Sequence, residues 1–506
     1  MAEETELKLH LPDDALAQLE RRPLLRNVHA QVQRLEAIYY DTPERHLQRN
    51  GLALRLRRSG RRWVQTLKAA DVAQSGLSTR REWEGPARVQ RGKPRIDLAR
   101  LRDTPLPALL AEAGHPQLRE VFRVKVRRSL RVIEFRRSRI EVAIDVGRIE
   151  ARRAGRRGDP VAEVELELKA GDVGDLIAAA LALVGRGRSA LGLVPLLAGK
   201  AERGYRLAAG APAPLAKASA PGFIEHLQSD MSAGAALRAI VGHGLQVLLV
   251  NTEAMRSVRE IEQVHQARVA IRRMRSAIRL LDHHGDDLPQ GPVRELRWIG
   301  RLLGQTRDWD VLVAETLPAL TAAAPRAVHR DLGRLLARAT ERRDASRAGT
   351  AAALASGRFA RLALRLQRWS LSPAPARRPL GKCAAKALDQ AHRRLFGAAQ
   401  FFAALAPERR HRARILAKRL RYALDVFSVD LPERATDEYV RALAELQDVL
   451  GVLNDLTVAR GALRSIAGGR AASTLVRALI QRREADGIVA TERLLLALSE
   501  RKVPWK

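Results

Sequence analysis

The strongest constraint on this fold is a single change in side-chain pattern along the chain. Up to about residue 206, short segments alternate apolar and polar residues and are interrupted by Gly, Pro and Asp. From about residue 222 onward, long stretches rich in Ala, Leu and Arg carry apolar residues at helical spacing. Because strands and helices repeat their side chains with different periods, the chain is predicted to form an α+β multidomain protein. The segment 207–221, rich in Ala and Pro, is typical of a linker.

The helical part repeats one pattern of histidine and basic residues. His265 and His411 each begin such a run, and they lie 146 residues apart. A Leu-Gly pair and then an aspartate, Asp308 or Asp455, follow each run. Two motifs that recur in the same order predict an all-α duplicated helical bundle. The predicted bounds are 1–206 for the β-rich domain, 207–221 for the linker, and 222–503 for the helical domain, with repeats at about 222–370 and 380–503.

The charge of the chain indicates a polyanionic partner. Lys and Arg total 90 against 56 Asp and Glu, which gives a formal net charge of +34. Arginine dominates, and its planar fork of donors suits phosphate oxygens. Aromatic residues make up only 4% of the chain, which disfavours recognition of nucleic acids by base stacking. Specific nucleic-acid binding is therefore not expected, whereas sequence-independent binding to a phosphate backbone stays open.

Three further features bear on location. Cys383 is the only cysteine, so an internal disulfide and a cysteine-rich zinc module are excluded. The first ten residues are charged and lack an apolar signal core. The longest apolar stretches, such as 176–184, are shorter than a membrane span requires. We expect a cytoplasmic protein without a membrane span.

Charged residues share one face of most predicted strands. In the first strand, Glu4, Glu6 and Lys8 lie on one face and the leucines between them on the other. A β-sandwich would expose such charged faces to water, whereas a barrel can enclose them. Alternation alone does not choose between these folds. A charged lumen is favoured because triphosphate hydrolysis needs both cations for the substrate and carboxylates for a metal.

An ordered series of motifs in residues 1–206 resembles the CYTH domain, the family of triphosphate tunnel metalloenzymes. The main ones are Glu4-x-Glu6-x-Lys8, Leu54-Arg55-Leu56-Arg57-Arg58, Thr66-Leu67-Lys68, Arg80-x-Glu82-Trp83-Glu84, Ile144-Asp145-x-Gly147 and Glu163-x-Glu165-x-Glu167. The resemblance implies an antiparallel eight-stranded β tunnel with flanking helices. It also implies a Mg²⁺ or Mn²⁺ cofactor and substrates that contain triphosphate.

Position by position, the resemblance implies two sets of tunnel residues. The metal-binding acids are Glu4, Glu6, Asp145, Glu163, Glu165 and Glu167. The residues that bind triphosphate or act in catalysis are Lys8, Arg55, Arg57, Lys68, Arg80, Glu82, Arg127, Lys200 and Arg203. For any one of them, an ion pair across the lumen is the structural alternative. The implied reaction is attack of a metal-organised water on a terminal phosphorus.

The helical half resembles the CHAD domain, a duplicated α-helical bundle that often follows a CYTH domain in bacteria and is associated with polyphosphate binding. Helical spacing places each basic run on one face of a helix. The resemblance implies polyphosphate binding by His265, Arg268, Arg272, Arg273, Arg275, His411, Arg414, Lys418, Arg419 and Arg421. Lys418 stands where the first run has Arg272, which keeps the charge. Asp308 and Asp455 are expected to hold the arginines in position rather than to bind metal.

The favoured function is thus metal-dependent hydrolysis of inorganic triphosphate, or of similar short phosphate chains. The helical domain is expected to target the protein to polyphosphate. Association with polyphosphate granules is the expected consequence. Three alternatives remain. The tunnel could act on an organic triphosphate, such as a nucleotide or thiamine triphosphate, or could cyclise a nucleotide. Both domains could bind polyphosphate without catalysis. The chain could bind nucleic acid without sequence preference.

Overall fold

The chain folds into two compact units. The structure, a computed structural model, describes residues 2–60, 62–69, 77–91, 93–151, 158–256, 260–281, 288–374, 379–466 and 470–505. The tunnel unit comprises Met1–Pro214 and Leu354–Arg368, and the helical unit comprises Leu215–Ala353 and Trp369–Lys506.

An antiparallel barrel forms the body of the tunnel unit. Its strands are β1 (Ala2–His10), β2 (Gln31–Asp41), β3 (Leu52–Ser59), β4 (Arg62–Ala69), β5 (Leu77–Pro86), β8 (Arg119–Phe135), β9 (Ser138–Ala151) and β10 (Asp159–Ala170). They close in the order β1-β10-β9-β8-β2-β3-β4-β5, and β6 (Arg88–Gln90) pairs with β7 (Lys93–Arg95) in a separate ribbon. The predicted eight-stranded antiparallel tunnel is therefore confirmed.

The outer face of the barrel is apolar and is covered by helices. The flanking helices are α1 (Leu16–Glu20), α2 (His46–Arg49), α3 (Leu106–Glu112) and α4 (Val173–Val184). Leu7 and Leu9 of β1 are fully buried, as are Val164 and Leu166 of β10. α4 packs on β1, β9 and β10. Burial of these alternate residues turns the charged residues of the same strands toward the lumen.

A further helix, α5 (Lys200–Ala209), packs against β8, β9 and β10 from inside the barrel. Tyr205 meets the ring of Phe122 edge-on at 5.2 Å, and Phe122 stacks on Tyr39 at 4.4 Å. A Cβ atom at Gly204 would lie 2.1 Å from the Phe122 ring, so only glycine permits this approach. The inner faces of β2 and β8 are therefore apolar where they meet α5.

The tunnel unit also contains α12 (Gly357–Ser370) as far as Arg368, although the sequence places this segment at the end of the first helical repeat. A Cβ atom at Gly357 would lie 2.3 Å from the carbonyl oxygen of Ala190. The side chain of Arg361 donates a hydrogen bond to the carbonyl of Gly185. Phe359 is fully buried. Residues 354–368 thus belong to the tunnel unit by packing, a feature that helical periodicity does not reveal.

The described part of the helical unit consists of helices. They are α6 (Ala220–Ile224), α7 (Ala233–Ala254), α8 (Ile261–Leu281), α9 (Gln290–Val311), α10 (Leu317–Ala322), α11 (His329–Leu354), α13 (Gly381–Ala399), α14 (Pro407–Phe427), α15 (Glu433–Ile466) and α16 (Arg470–Ser499). The prediction of an all-α C-terminal half is confirmed. α8 and α14 each have 21 residues, and their matched histidines occupy the same position within them. α7 packs on α8 as α13 packs on α14, which is the arrangement expected of a duplication.

α7 is long and apolar enough to cross a membrane by length and composition alone. Core helices pass the same test, and most of the apolar stretch of α7 is buried within the protein. Its burial accounts for its composition without a membrane.

Candidate functional site

The barrel encloses a cavity of about 1170 Å³ whose wall is mostly charged. The lining acids are Glu4, Glu6, Glu82, Glu84, Asp97, Asp103, Glu141, Asp145, Glu165 and Glu167, and the lining bases are Lys8, Arg55, Arg57, Lys68, Arg100, Arg102, Arg128, Lys169 and Lys200. β2 and β8 contribute an apolar wall that includes Leu35, Ala37, Val124 and Val126. The cavity thus combines carboxylates and cations, which are the two groups that metal-assisted phosphoryl chemistry requires.

Three carboxylates group together near α5, and two of them, Asp145 and Glu165, line the cavity. Oxygens of Asp145, Glu163 and Glu165 all lie within 4.8 Å of one another, and Asp145 and Glu163 are fully buried. Oε2 of Glu163 makes no hydrogen bond within the described residues, and Arg203 Nη1 lies 3.5 Å from it. Oxygen donors grouped in this way suit Mg²⁺ or Mn²⁺, so these residues fit the implied metal.

Two cations from the protein contact this carboxylate trio. Lys200 Nζ lies 2.6 Å from Asp145 and 3.0 Å from Glu165, and it also bonds Glu163. Arg128 donates to both oxygens of Asp145, at 2.8 and 2.6 Å, and to Glu165 at 2.6 Å. Burial alone would raise the pKa of Glu165, but the charges of Lys200 and Arg128 hold it well below its usual range. The negative charge of the three carboxylates is therefore already balanced in part by Lys200 and Arg128.

The buried partner Glu163 shifts the other way. Burial raises the pKa of Glu163 above its ordinary value, since the charge of Lys200 offsets only part of the desolvation cost. The same burial would lower the pKa of Lys200, but the charges of Glu163, Glu165 and Asp145 raise it instead. Lys200 therefore stays protonated, and it occupies the same carboxylate oxygens that a metal would bind.

A second group of acids lies around Lys68 and Lys169. Lys68 Nζ is 2.9 Å from Glu4 and 2.8 Å from Glu82. Burial and the nearby charges of Glu4 and Glu141 raise the pKa of Glu167, although its bond to Lys169 opposes the shift. Glu6 is the direct cross-strand neighbour of Glu167 and bonds Lys8. The six predicted metal-binding acids therefore divide into two groups.

Arg55 and Arg57 of β3 supply cations opposite these acids. Arg55 lies 3.6 Å from Glu82, and Arg57 lies 3.2 Å from Glu84. Burial and the charge of Arg55 lower the pKa of Arg57 despite its contact with Glu84. An anion bound beside Arg57 would offset the repulsion from Arg55 that lowers the pKa of Arg57.

The prediction for Arg127 is wrong. Arg127 is exposed, and the neighbouring Arg128 lines the cavity. Val124 and Val126 share the inner face with Arg128, because this part of the barrel packs against α5. The sequence assigned the apolar residues of β8 to the outside, which shifted the inward register by one residue.

Two other predicted bases have different surroundings. Arg203 bonds Asp159, with 2.8 Å between Nη2 and the carboxylate, besides its contact with Glu163. Arg203 therefore helps to hold Glu163 of the trio in position. The side chain of Arg80 lies outside the described residues, although its backbone pairs with Glu4.

In the helical unit, residues of both repeats line a cavity of about 650 Å³. The basic ones are His265, Arg272, Arg273, Lys418 and Arg421, together with Lys217. The charges of Arg268 and Arg414 also act on Lys418. α8 and α14 pack together, so the two predicted basic runs contribute to one cluster.

The cluster carries more positive charge than its surroundings neutralise. Burial and the charges of Arg414, Arg272 and Arg268 lower the pKa of Lys418 to about 6. Burial and Arg272 lower the pKa of Arg268 to about 10, with Asp308 opposing the shift. A depressed ammonium pKa is the electrostatic mark of a site that favours an anion.

Other members of the predicted set have separate surroundings. Arg273 Nη1 bonds Asp425 at 2.7 Å, and its guanidinium lies over the rings of Phe223 and Tyr422. These contacts give Arg273 a packing role between helices. His411 Nδ1 lies 2.8 Å from the side-chain oxygen of Asn454.

Comparison with protein families assigns both halves. Residues 2–182 match the CYTH domain, and residues 239–464 match the CHAD domain. The chain therefore carries a CYTH domain followed by a CHAD domain.

Individual relatives cover parts of the chain. An inorganic triphosphatase of Haemophilus influenzae is 34% identical over 139 residues, which is 27% of this chain and 37% of that protein. A crystal structure of the CHAD domain from the plant Ricinus communis is 31% identical, with a TM-score of 0.49, and covers 56% of this chain and 97% of its own. A Hippeastrum protein with a dominant triphosphatase activity is 16% identical, with a TM-score of 0.29, and covers 42% of this chain and 98% of its own. The chain thus spans little more than a third of the length of the Haemophilus influenzae protein.

Proposed function

We propose that this CYTH–CHAD chain hydrolyses inorganic triphosphate, or similarly short phosphate chains, in the tunnel with a divalent metal, and that its helical unit binds polyphosphate. The observation that carries the first part is the charged cavity, because Asp145 and Glu165 of the carboxylate trio line it together with several cations. The similarity to an inorganic triphosphatase supports this assignment for the CYTH part.

The substrate would lie between the cations of β3, β4 and β8. Arg55 and Arg57 provide planar donors that suit phosphoryl oxygens, and Lys68 and Arg128 add charge from neighbouring strands. These side chains hold the phosphate chain extended along the tunnel and stabilise charge on the phosphoryl group undergoing transfer. The barrel wall restricts the water that reaches the chain.

The metal would be held by Asp145, Glu163 and Glu165, with Mg²⁺ or Mn²⁺ as the ion. When bound, such an ion neutralises phosphoryl charge and organises a water for in-line attack. Arg203 positions Glu163, and Arg128 orients Asp145 and Glu165. Lys200 bonds all three acids, so it would compete with a metal for their oxygens, and its charge would be available to the substrate when it does not bond them.

Polyphosphate would bind along the cluster shared by α8 and α14. The supporting observation is the cavity of the helical unit, which basic residues of both repeats, Arg272 and Lys418 among them, line together. An inorganic chain with closely spaced charges and no bases needs cations rather than stacking rings. By this assignment the helical unit concentrates the protein where polyphosphate accumulates, for which we propose cytoplasmic polyphosphate granules in a bacterial cell.

The experiment pairs a tunnel variant with a helical-unit variant. Glu163→Gln with Glu165→Gln is expected to lower phosphate release from triphosphate by at least about 100-fold and to leave polyphosphate affinity unchanged. Arg268→Ala with Arg414→Ala is expected to weaken polyphosphate binding and to leave hydrolysis unchanged.

Glu134→Gln is the matched control, because Glu134 is an exposed acid of the same unit. Equal damage to both activities by both variant pairs would show that the division of labour is wrong. Release that persists in the tunnel variant would remove the metal assignment.

A further inference from the structure

The tunnel unit includes a helix from outside the residues that match the CYTH domain. α12 belongs to this unit as far as Arg368, although it lies within residues 239–464, which match the CHAD domain. The chain therefore leaves the helical unit before residue 354 and rejoins it after residue 368. Neither family match by itself accounts for the contacts that α12 makes in the tunnel unit.

Main-chain contacts hold α12 against the segment 186–199, which links α4 to α5 and which we call the α4–α5 segment. A Cβ atom at Gly357 would lie 2.3 Å from the carbonyl oxygen of Ala190. A Cβ atom at Gly192 would lie 1.9 Å from the carbonyl oxygen of Ala355. Contacts between main-chain atoms cannot be relieved by a change of rotamer, so the position of the α4–α5 segment depends on that of α12.

Arg361 of α12 adds a hydrogen bond at the C-terminal end of α4. Its side chain donates to the carbonyl oxygen of Gly185, which is the C-cap residue of α4. The last carbonyl groups of a helix have no partner within the helix, and Arg361 satisfies one of them. Arg361 therefore fixes α12 to the point where the α4–α5 segment begins.

The other end of the α4–α5 segment runs beside β1 and leads to Lys200. The main-chain NH of His10 donates to the carbonyl of Val194 at 2.8 Å, and that of Leu196 donates to the carbonyl of Lys8 at 2.9 Å. Lys200 follows at the start of α5, where it bonds the carboxylate trio. The segment thus connects the contacts of α12 with Lys8 and Lys200, two bases that line the cavity.

The α4–α5 segment is closely packed along its length. Leu193 is fully buried, and Leu191, Val194 and Leu196 are nearly so. A buried segment with main-chain hydrogen bonds to a strand has few alternative conformations, because any change must open the packing around it. A displacement at Ala190 is therefore passed on toward Lys200 rather than absorbed in between.

We propose that α12 is a positioning element of the tunnel site, in which Arg361 and Gly357 hold Lys200 on the carboxylate trio through the α4–α5 segment. The proposal rests on the metal site proposed above and extends its supports to the CHAD-matched part of the chain. When α12 is displaced, Lys200 loses its fixed place among the carboxylates. A divalent metal then meets less competition for their oxygens, and the substrate loses a positioned cation.

Arg361→Met in the full chain tests the proposal, because it removes the bond to Gly185 and keeps a long apolar side chain. Mn²⁺ affinity, measured by calorimetry without substrate, is expected to rise by at least about 3-fold. The value of kcat/KM for triphosphate is expected to fall by about 10-fold or more, because Lys8 and Lys200 are misplaced. Arg361→Lys keeps a donor at the same place and should return both values toward those of the wild type.

A second variant and a control accompany this measurement. Gly357→Ala displaces α12 through a different contact and should shift both values in the same directions as Arg361→Met. The matched control is Arg368→Met, because Arg368 is an exposed arginine of the same helix. The control should change Mn²⁺ affinity and kcat/KM by about 2-fold or less. All assays are made below the melting temperature of each variant.

A double-mutant cycle with Lys200→Met separates positioning from a general loss of packing. If Arg361 acts through Lys200, Arg361→Met raises Mn²⁺ affinity in the otherwise wild-type chain and has no effect in the Lys200→Met background. A purely structural role of Arg361 would give the same change in both backgrounds.

The outcomes separate this proposal from the proposed function. Test variants that match the control, or a Mn²⁺ shift that persists in the Lys200→Met background, would overturn the positioning role whether or not the protein hydrolyses triphosphate. A shift that disappears in that background, in a chain that releases no phosphate from triphosphate, would support the positioning role while the proposed function fails. A wild-type chain that binds no Mn²⁺ would remove the metal site and this proposal with it.

Discussion

Replacement of Lys418 by arginine is expected to remove a pH dependence from polyphosphate binding. In the free protein, burial and the charges of Arg414, Arg272 and Arg268 lower the pKa of Lys418 to about 6, with Asp455 opposing them. A bound polyanion adds negative charge beside the ammonium group and raises its pKa. The contribution of Lys418 to affinity is therefore fully present below about pH 6 and is lost as the pH rises.

The magnitude follows from the size of the shift. At about pH 8, two units above its pKa, roughly one Lys418 side chain in 100 is charged in the free protein. If the bound form is fully charged, affinity at about pH 8 is roughly 100-fold weaker than at about pH 5, which corresponds to about 2.7 kcal/mol. Arginine stays charged throughout this range, so Lys418→Arg should lose the difference.

The assay is calorimetric titration with long-chain polyphosphate at fixed ionic strength, repeated in buffers of different ionisation enthalpy. Wild-type protein should take up close to one more proton on binding near neutral pH than Lys418→Arg does. His265 and the ends of the phosphate chain titrate in both proteins, so the difference between them isolates Lys418. Identical pH profiles and identical proton uptake in the two proteins would refute the electrostatic reasoning.

Three further changes test the tunnel. Arg128→Ala should slow phosphate release from triphosphate by roughly 100-fold, whereas the exposed neighbour Arg127→Ala should leave it near wild type; equal effects would restore the register that the sequence predicted. Lys200→Met should tighten Mn²⁺ binding in calorimetry without substrate, because it removes the cation that bonds the carboxylate trio; unchanged affinity would contradict that competition. Gly204→Ala should destabilise the tunnel unit by about 1–3 kcal/mol in denaturant unfolding, because its Cβ would meet Phe122, and an unchanged midpoint would contradict the packing.

The barrel was predictable because alternation has a strict period. In β1 and β10, leucine and valine alternate with charged residues, and burial of the apolar set leaves only one register. The duplication was equally readable, since His265 and His411 keep their spacing to the basic residues that follow. Both signals are local repeats that a single sequence contains in full.

The register of β8 was not predictable in the same way. Its two faces carry Val124 and Val126 on one side and Arg127 on the other, and alternation does not say which face is inside. The answer depends on α5, which lies far along the chain and packs against β8 in the barrel. Because α5 packs inside the barrel, the apolar face of β8 points inward, although an apolar face normally marks the outside of such a barrel.

Contacts between distant segments account for the other surprises. Lys200 was predicted to bind substrate, but its position among the carboxylates depends on how α5 enters the barrel. Similarly, the basic residues of each run have the same spacing along the helix but different neighbours in the structure. Arg273 packs on Phe223 and Tyr422, and side-chain spacing along one helix carries no information about such partners.

The most direct test of the central claim is the initial rate of phosphate release from inorganic triphosphate by the full chain. The rate is measured with Mg²⁺, with Mn²⁺ and with chelator, beside ATP and long-chain polyphosphate at equal phosphate. A fast, metal-dependent release that is greatest with triphosphate is the predicted result. Release from none of these substrates, in a protein that still binds polyphosphate, would contradict the account and make the buried carboxylates of the tunnel structural.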